Sequence, residues 1–282
     1  MCLRPDGFEA MNSGRTVMAR LGDSELQGGA DGTTKETNTH VEPPQVELTI
    51  DPMRVRRILL ISIGLLVTAS TALQAAVYFL PDFPLRDAIA RLFYVDFERS
   101  IPTLYSTVML LTSAVLFGSI AHAHHRGGRR YVRHWGALSL AFLLLGLDEF
   151  AAVHEQTIRS VLSILEPEGG GAHRLVWVVP VVLAVAAFGI AFARFLGHLP
   201  RTTRRRLWVA GILLVGGAIG VDLVGSGYSA VHGAANFNYV LIATVEECLE
   251  MLGSAVLVYA LLAYVPVGLP EVGWRLRIAA SD

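Results

Sequence analysis

The chain has 282 residues, of which 53% are hydrophobic and only 17% charged, and its formal net charge is −1. This composition excludes an ordinary soluble domain and points to a polytopic membrane protein, while the near-zero charge excludes nucleic acid as a partner. The two cysteines, Cys2 and Cys248, exclude a disulfide framework, and no CxxC, P-loop, GxGxxG or GxSxG motif marks a redox, nucleotide or serine-hydrolase site.

Residues 1–52 are rich in Gly, Thr, Glu and Asp, with little periodic apolar content, and are expected to form a disordered cytoplasmic tail. A membrane domain follows over 53–266, and 267–282 form a short cytoplasmic C-terminal tail. The membrane domain contains six apolar segments, at about 58–80, 101–121, 135–160, 175–196, 207–228 and 239–264. Each has the ~20 residues that cross a ~30 Å hydrocarbon core at 1.5 Å per residue. The first is too long for a signal-peptide core and is expected to remain as an anchor. The third keeps its apolar periodicity through Ile158, Leu162 and Leu165 until Pro167 and the Gly169–Gly171 run, which predicts one long helix that projects outward. The fifth carries a Gly216/Gly220 GxxxG pair, suited to close approach of a neighbouring helix.

Arginine placement orients the chain. One set of flanks and loops carries Arg54, Arg56, Arg57, Arg126, Arg129, Arg130, Arg133, Arg201, Arg204, Arg205 and Arg206, and the opposite set is sparser. By the positive-inside rule both termini are cytoplasmic. The expected fold is therefore all-α: one bundle of six transmembrane helices, N-in and C-in, in the plasma or inner membrane, with membrane lipids as its surroundings.

The unusual feature is acid inside the apolar segments. Asp148, Glu149 and Glu155 lie in the third segment, Asp222 in the fifth, and Glu246, Glu247 and Glu250 in the sixth. One acidic side chain at mid-bilayer costs ~2.5–3.5 kcal/mol on insertion scales, so such groups normally pair, bind a proton or bind a metal. Helical rise places Asp148 ~20 Å from the inner face, Asp222 ~22 Å from it, and Glu250 ~16 Å below the outer face. These three thus share a layer just outside the midplane. Glu246, His154 and Glu155 form a second layer nearer the outer surface. Glu246 and Glu250 share a helix face, as do Asp148 and Glu155, while Glu149 and Glu247 are turned ~100° from their neighbours. His154 and His232 are the nearby imidazoles.

Carboxylates with one or two histidines suit Fe, Mn or Zn, and a bundle holding such ligands on facing helices is the inventory of di-metal carboxylate proteins. The Glu-x-x-His spacing of those proteins is absent: Glu149 and His154 are five residues apart. The similarity is one of ligand inventory only. A divalent metal held by Asp148, Glu149, His154, Glu155, Asp222, His232, Glu246, Glu247 and Glu250 is the expected cofactor set, with no nucleotide or heme signature and no intramembrane Lys.

Three functions compete. A metal-dependent membrane enzyme would act on a lipid or other apolar substrate from an outward-opening pocket. A cation or proton transporter would use the same acids, with three helices plus three as an inverted repeat. A non-catalytic scaffold or sensor would keep its acids neutral and bonded to groups such as Tyr105, Ser106, Ser226 or Tyr228. The apolar inner halves of the third, fifth and sixth segments favour a pocket over a through-path. Minor signals read more plainly: His122, His124 and His125 as a polar cap (or a metal-loading site), Cys248 as a buried thiol, and Trp135, Trp177, Trp208, Tyr239 and Tyr264 as an interfacial aromatic belt.

Overall fold

A computed structural model describes residues 46–49, 51–97, 99–153, 173–269 and 275–278. The chain divides into two units, Met1–Pro43 and Pro44–Asp282. The described residues all belong to the second.

The second unit is a helical bundle. Helix α1 (Pro52–Phe79) starts where Asp51 caps it by accepting from the Met53 N–H at 2.9 Å, with proline in the first turn. The short α2 (Arg86–Phe93) folds back on α1. The loop after it is pinned by Val95 N–H donating to the fully buried Ser70 Oγ at 3.2 Å. Helix α3 (Ile101–Arg126) is capped by Ser100, which accepts from Thr103 N–H at 3.2 Å. It packs along α4 (Val132–Ala151). Helix α5 (His173–His198) follows. Helix α6 (Arg201–Val215) runs through a π-helical turn (Gly216–Val221) into α7 (Asp222–His232) without leaving the helix axis. Helix α8 (Phe237–Gly268) is capped by Asn236 and completes the bundle. Strand β1 (Val46–Thr49) pairs antiparallel with β2 (Arg275–Ile278), Val46 opposite Ile278.

Helix α8 is the hub. It packs against α1, α3, α6 and the π turn, which is why its sequence is apolar on nearly all sides. Met251, Ala255, Val258 and Leu261 are buried there together with Leu59 and Ile63 of α1 and Phe117 and Ile120 of α3. Outward-facing leucines and isoleucines such as Leu65, Ile190 and Ile212 stay exposed, as lipid-facing residues do. Among the described residues five helical stretches are long and apolar enough to cross a membrane: α1, α3, residues 178–198 of α5, the continuous α6–α7 stretch, and α8.

Helix α4 is not one of these. The expected unbroken helix over 135–160 ends at Ala151, where Ala152 adopts φ +50° and its N–H still bonds Asp148 O at 2.6 Å. A left-handed non-glycine residue closes a right-handed helix. Asp148 and Glu149 therefore occupy a helix C-terminal turn, the electronegative end of the dipole. The remainder of that segment lies outside the described residues.

Close approach also differs from the GxxxG expectation. A Cβ at Gly216 or Gly220 would meet nothing within 4 Å. The contacts fall instead at Gly217 and at Gly253, where a Cβ would sit 2.7 Å from Leu214 Cγ and 3.0 Å from Ala210 O. The π turn adds a residue to the helix turn, so the face presented to α8 is rotated from the one that a regular 3.6-residue period predicts. The aromatic belt needs correction as well. Trp135 and Tyr264 are buried, in contact with Phe117, Phe195 and His124, whereas Trp208 is half exposed. His124 is a buried pin between helices: Nδ1 lies 3.2 Å from Arg130 O and Nε2 3.2 Å from the Tyr264 hydroxyl.

Gly253→Ala is expected to destabilise the protein by about 1–3 kcal/mol through overpacking. Gly211→Ala, whose new methyl would meet nothing within 4 Å, is expected to leave stability unchanged or raised. Thermal melts of the two variants in one detergent check this ordering.

Candidate acidic site

The site is built around one face of α8. Glu246, Glu247 and Glu250 are half-buried there, with Glu246 and Glu250 one turn apart. The π turn lies directly against them: a Cβ at Gly217 would sit 2.8 Å from Glu250 Cγ and 2.9 Å from Glu246 O. Only a residue without a side chain lets the α6–α7 helix come this near. The Asp222 N–H donates to Gly217 O, five residues back, so the π geometry sets the direction in which Asp222 leaves the helix. Ser226 Oγ donates to Asp222 Oδ1 at 3.4 Å, a long bond along the shared face.

Two further elements add charge. Glu149 of α4 acts electrostatically on both Glu247 and Glu250. Asp96, in the loop between α2 and α3, acts on Glu246 and Glu247, and Asp222 acts on it in turn. The charge of Asp222 acts on both Glu250 and Glu246. The structure thus gathers Asp96, Glu149, Asp222, Glu246, Glu247 and Glu250 from four parts of the chain. Among the described residues the ion pairs recorded are Arg54–Asp51, Arg86–Asp82 and Arg86–Asp87, and none of them reaches the three α8 glutamates.

Other expected residues fall differently. Glu149 and Glu247, turned ~100° from their neighbours in the helical-wheel reading, are linked electrostatically to Glu250, and Asp148 is half-buried. His232 is exposed at the end of α7 and stacks on Tyr228 with centroids 4.5 Å apart. His154 and Glu155 lie outside the described residues. Of the hydroxyls proposed to neutralise the acids, Ser226 reaches one. Tyr105 donates to Leu59 O, Tyr228 accepts from Asn238, and Ser106 Oγ is buried with no partner among the described residues. Among the described residues no group of three or more His, Cys, Asp or Glu side chains is placed to hold a metal ion.

Asp96 is the residue that the sequence reading missed. It lies between apolar segments, where depth counting does not reach, and its signal is the Tyr94–Val95–Asp96–Phe97 string, an acid set between aromatics. The Tyr94 hydroxyl donates to Asp96 Oδ2 at 3.1 Å. Crowding by protein atoms raises the Asp96 pKa, the Tyr94 bond lowers it, and the charge of Asp222 raises it, for a net increase. Its side chain keeps an exposed edge, so solvent screens part of that shift. Tyr94 is itself raised, first by desolvation and then by the charge of Asp96. Asp96 is therefore the accessible edge of the cluster.

A family model described as "Domain of unknown function (DUF8692)" matches residues 58–265. No curated protein and no solved structure matches the chain.

A carboxyl with a raised folded-state pKa makes stability fall as pH rises between its ordinary value and the raised one, because the unfolded chain releases its proton first; above the raised value the loss is complete. Asp96→Asn is expected to remove this part of the pH dependence of the melting temperature. Tyr94→Phe is expected to extend the window upward, since the bond that lowers the Asp96 pKa is gone. Melting curves between about pH 4 and 8 for the three proteins decide it.

Proposed function

This chain belongs to the DUF8692 family, and we propose that it is a metal-dependent integral membrane enzyme whose acidic site, open to the outer half of the bilayer, binds a divalent cation and acts on a lipid or other apolar substrate. The observation that carries the reading is the gathering of six carboxylates from four parts of the chain, with no ion-pair partner for Glu246, Glu247 or Glu250 among the described residues. In a medium of low dielectric such a group requires protons or a cation to balance it. Glu149, sitting with Asp148 at the negative end of the α4 dipole, adds to that demand.

The described residues alone supply no three-donor set, so the proposal assigns the completing ligands to His154 and Glu155, just beyond the left-handed Ala152. Carboxylates with an imidazole suit Fe, Mn or Zn. Such a metal supplies Lewis acidity or an activated water. The chain's own part is to hold the donors on four packed elements, to keep the far side of the site apolar, and to leave Asp96 as the accessible entrance. The proposal places six spans in a cell membrane, with α4 and the segment after it as the third, and the Arg-rich flanks and both termini in the cytoplasm.

The π turn favours a second reading, a cation or proton transporter. Irregular helices beside intramembrane acids are the usual setting for coupling ions, and Gly216–Val221 interrupts the α-helix directly against Glu246 and Glu250.

Elemental analysis of detergent-purified protein separates the two. The enzyme reading expects Fe, Mn or Zn near one or two equivalents, lost in Glu250→Gln and His154→Ala while Asp82→Asn retains it. Folded protein free of these metals would overturn it, and proton uptake by proteoliposomes abolished in Glu246→Gln would establish the second reading in its place.

A further inference from the structure

At the Arg-rich end of the bundle, remote from the carboxylates, a cavity of about 480 Å³ lies between the end of α3, the start of α4, the end of α5 and the end of α8. Glu250 and Tyr264, on the same helix, mark the two sites and are fourteen residues apart, ~21 Å along the axis. The cavity is lined by His124, Arg129, Arg130, Trp135, His198 and Tyr264 among others, and no acidic side chain is among the described residues that line it.

Its donors are unevenly used. His124 spends both ring nitrogens, one on Arg130 O and one on the Tyr264 hydroxyl. Arg129 is anchored by one guanidinium nitrogen to Gly268 O at 2.5 Å. Arg130 and His198 are exposed at the mouth.

Positive charge, with no carboxylate among the described lining residues, selects an anion with several acceptor oxygens. Guanidinium pairs suit phosphate because two N–H groups match two phosphate oxygens. The level of the cavity is also that of the Arg-rich flanks, where headgroups of a bilayer lie and basic pockets between helices take lipid phosphates. We infer that this cavity is an anion site for a phosphate group, with Arg129 and Arg130 balancing its charge. The phosphate belongs either to a phospholipid headgroup or to a free phosphate ion, since the recognising chemistry is the same for both.

The test uses the full chain, delipidated in a neutral detergent, and follows its melting temperature against short-chain phosphatidylglycerol, inorganic phosphate and, as a phosphate-free control, short-chain diacylglycerol. Phosphatidylglycerol is expected to stabilise the protein at about a tenfold lower concentration than diacylglycerol, the factor that one charge-assisted hydrogen bond to phosphate supplies. Arg130→Gln removes an exposed charge at the cavity mouth. It is expected to weaken phosphatidylglycerol by about tenfold. Stabilisation by inorganic phosphate as well would assign the site to the free ion, and stabilisation by phosphatidylglycerol alone to the headgroup; either supports the inference. Equal stabilisation by diacylglycerol, no response to either phosphate source, or unchanged affinity in Arg130→Gln overturns it.

Discussion

Negative charge held in a medium of low dielectric has to be neutralised, and α8 carries three half-buried glutamates just before its most buried stretch. Everything near the site accommodates that demand. The π turn brings Gly217 onto the glutamate backbone, so that no side chain fills the space beside Glu250. The loop before α3 is tied to Ser70 and holds Asp96 beside the same face. Helix α4 ends early, which leaves Glu149 at its last turn near Glu250 rather than in the middle of a longer helix. Burying like charges together opposes folding. The compensation has to come from apolar packing elsewhere on α8, from bound protons or from a bound cation.

The same helix connects two chemically opposite ends. Toward Phe237 it faces acids; toward Gly268 it faces arginine, histidine and a cluster of rings in which Trp135 contacts Phe117, Phe195 and Tyr264. Between them lies a layer of fully buried Met251, Ala255 and Leu261 with no charge. That layer separates the ends electrically, which suits a pocket that closes below the acids. The rigidity of the aromatic end gives α8 a fixed reference, since His124 bonds across to Tyr264 and Arg129 to Gly268. At the other end, helix irregularities gather: the π turn at Gly216–Val221 and the left-handed Ala152 both lie beside acids. Such departures from regular geometry concentrate where a protein acts.

Much of this was legible in the chain itself. Apolar runs of spanning length located the long helices, although the third run overran α4, which ends at Ala151; backbone groups in lipid have to be satisfied internally, and a long helix does that. The charge cost of intramembrane acids identified Asp222, Glu246, Glu247 and Glu250 as the residues to watch, because acids are too costly there to be incidental. What failed was facing. A uniform 3.6-residue period put Asp148 on the face of Glu155, turned Glu149 ~100° from its neighbours and set the close contact at Gly216 and Gly220. The structure instead brings Glu149 beside Glu247 and Glu250 and places the contact at Gly217. Periodicity assumes an unbroken helix, and both helices concerned are irregular at the point that matters.

Asp96 and Trp135 mark the same boundary from the other side. Depth counting works within a span, so it has no means of placing a loop residue such as Asp96 against a helix far along the chain. Interfacial preference reads Trp135 as a belt residue, and only packing by α3, α5 and α8 buries it. The sequence by itself determined that the chain carries segments long and apolar enough to cross a membrane, with acid within them, because hydropathy and charge are properties of single residues and short windows. Which acids meet, which glycine admits its neighbour, and where a donor is left without an acceptor were decided by tertiary structure alone, because each depends on the relative rotation of helices that local sequence does not encode.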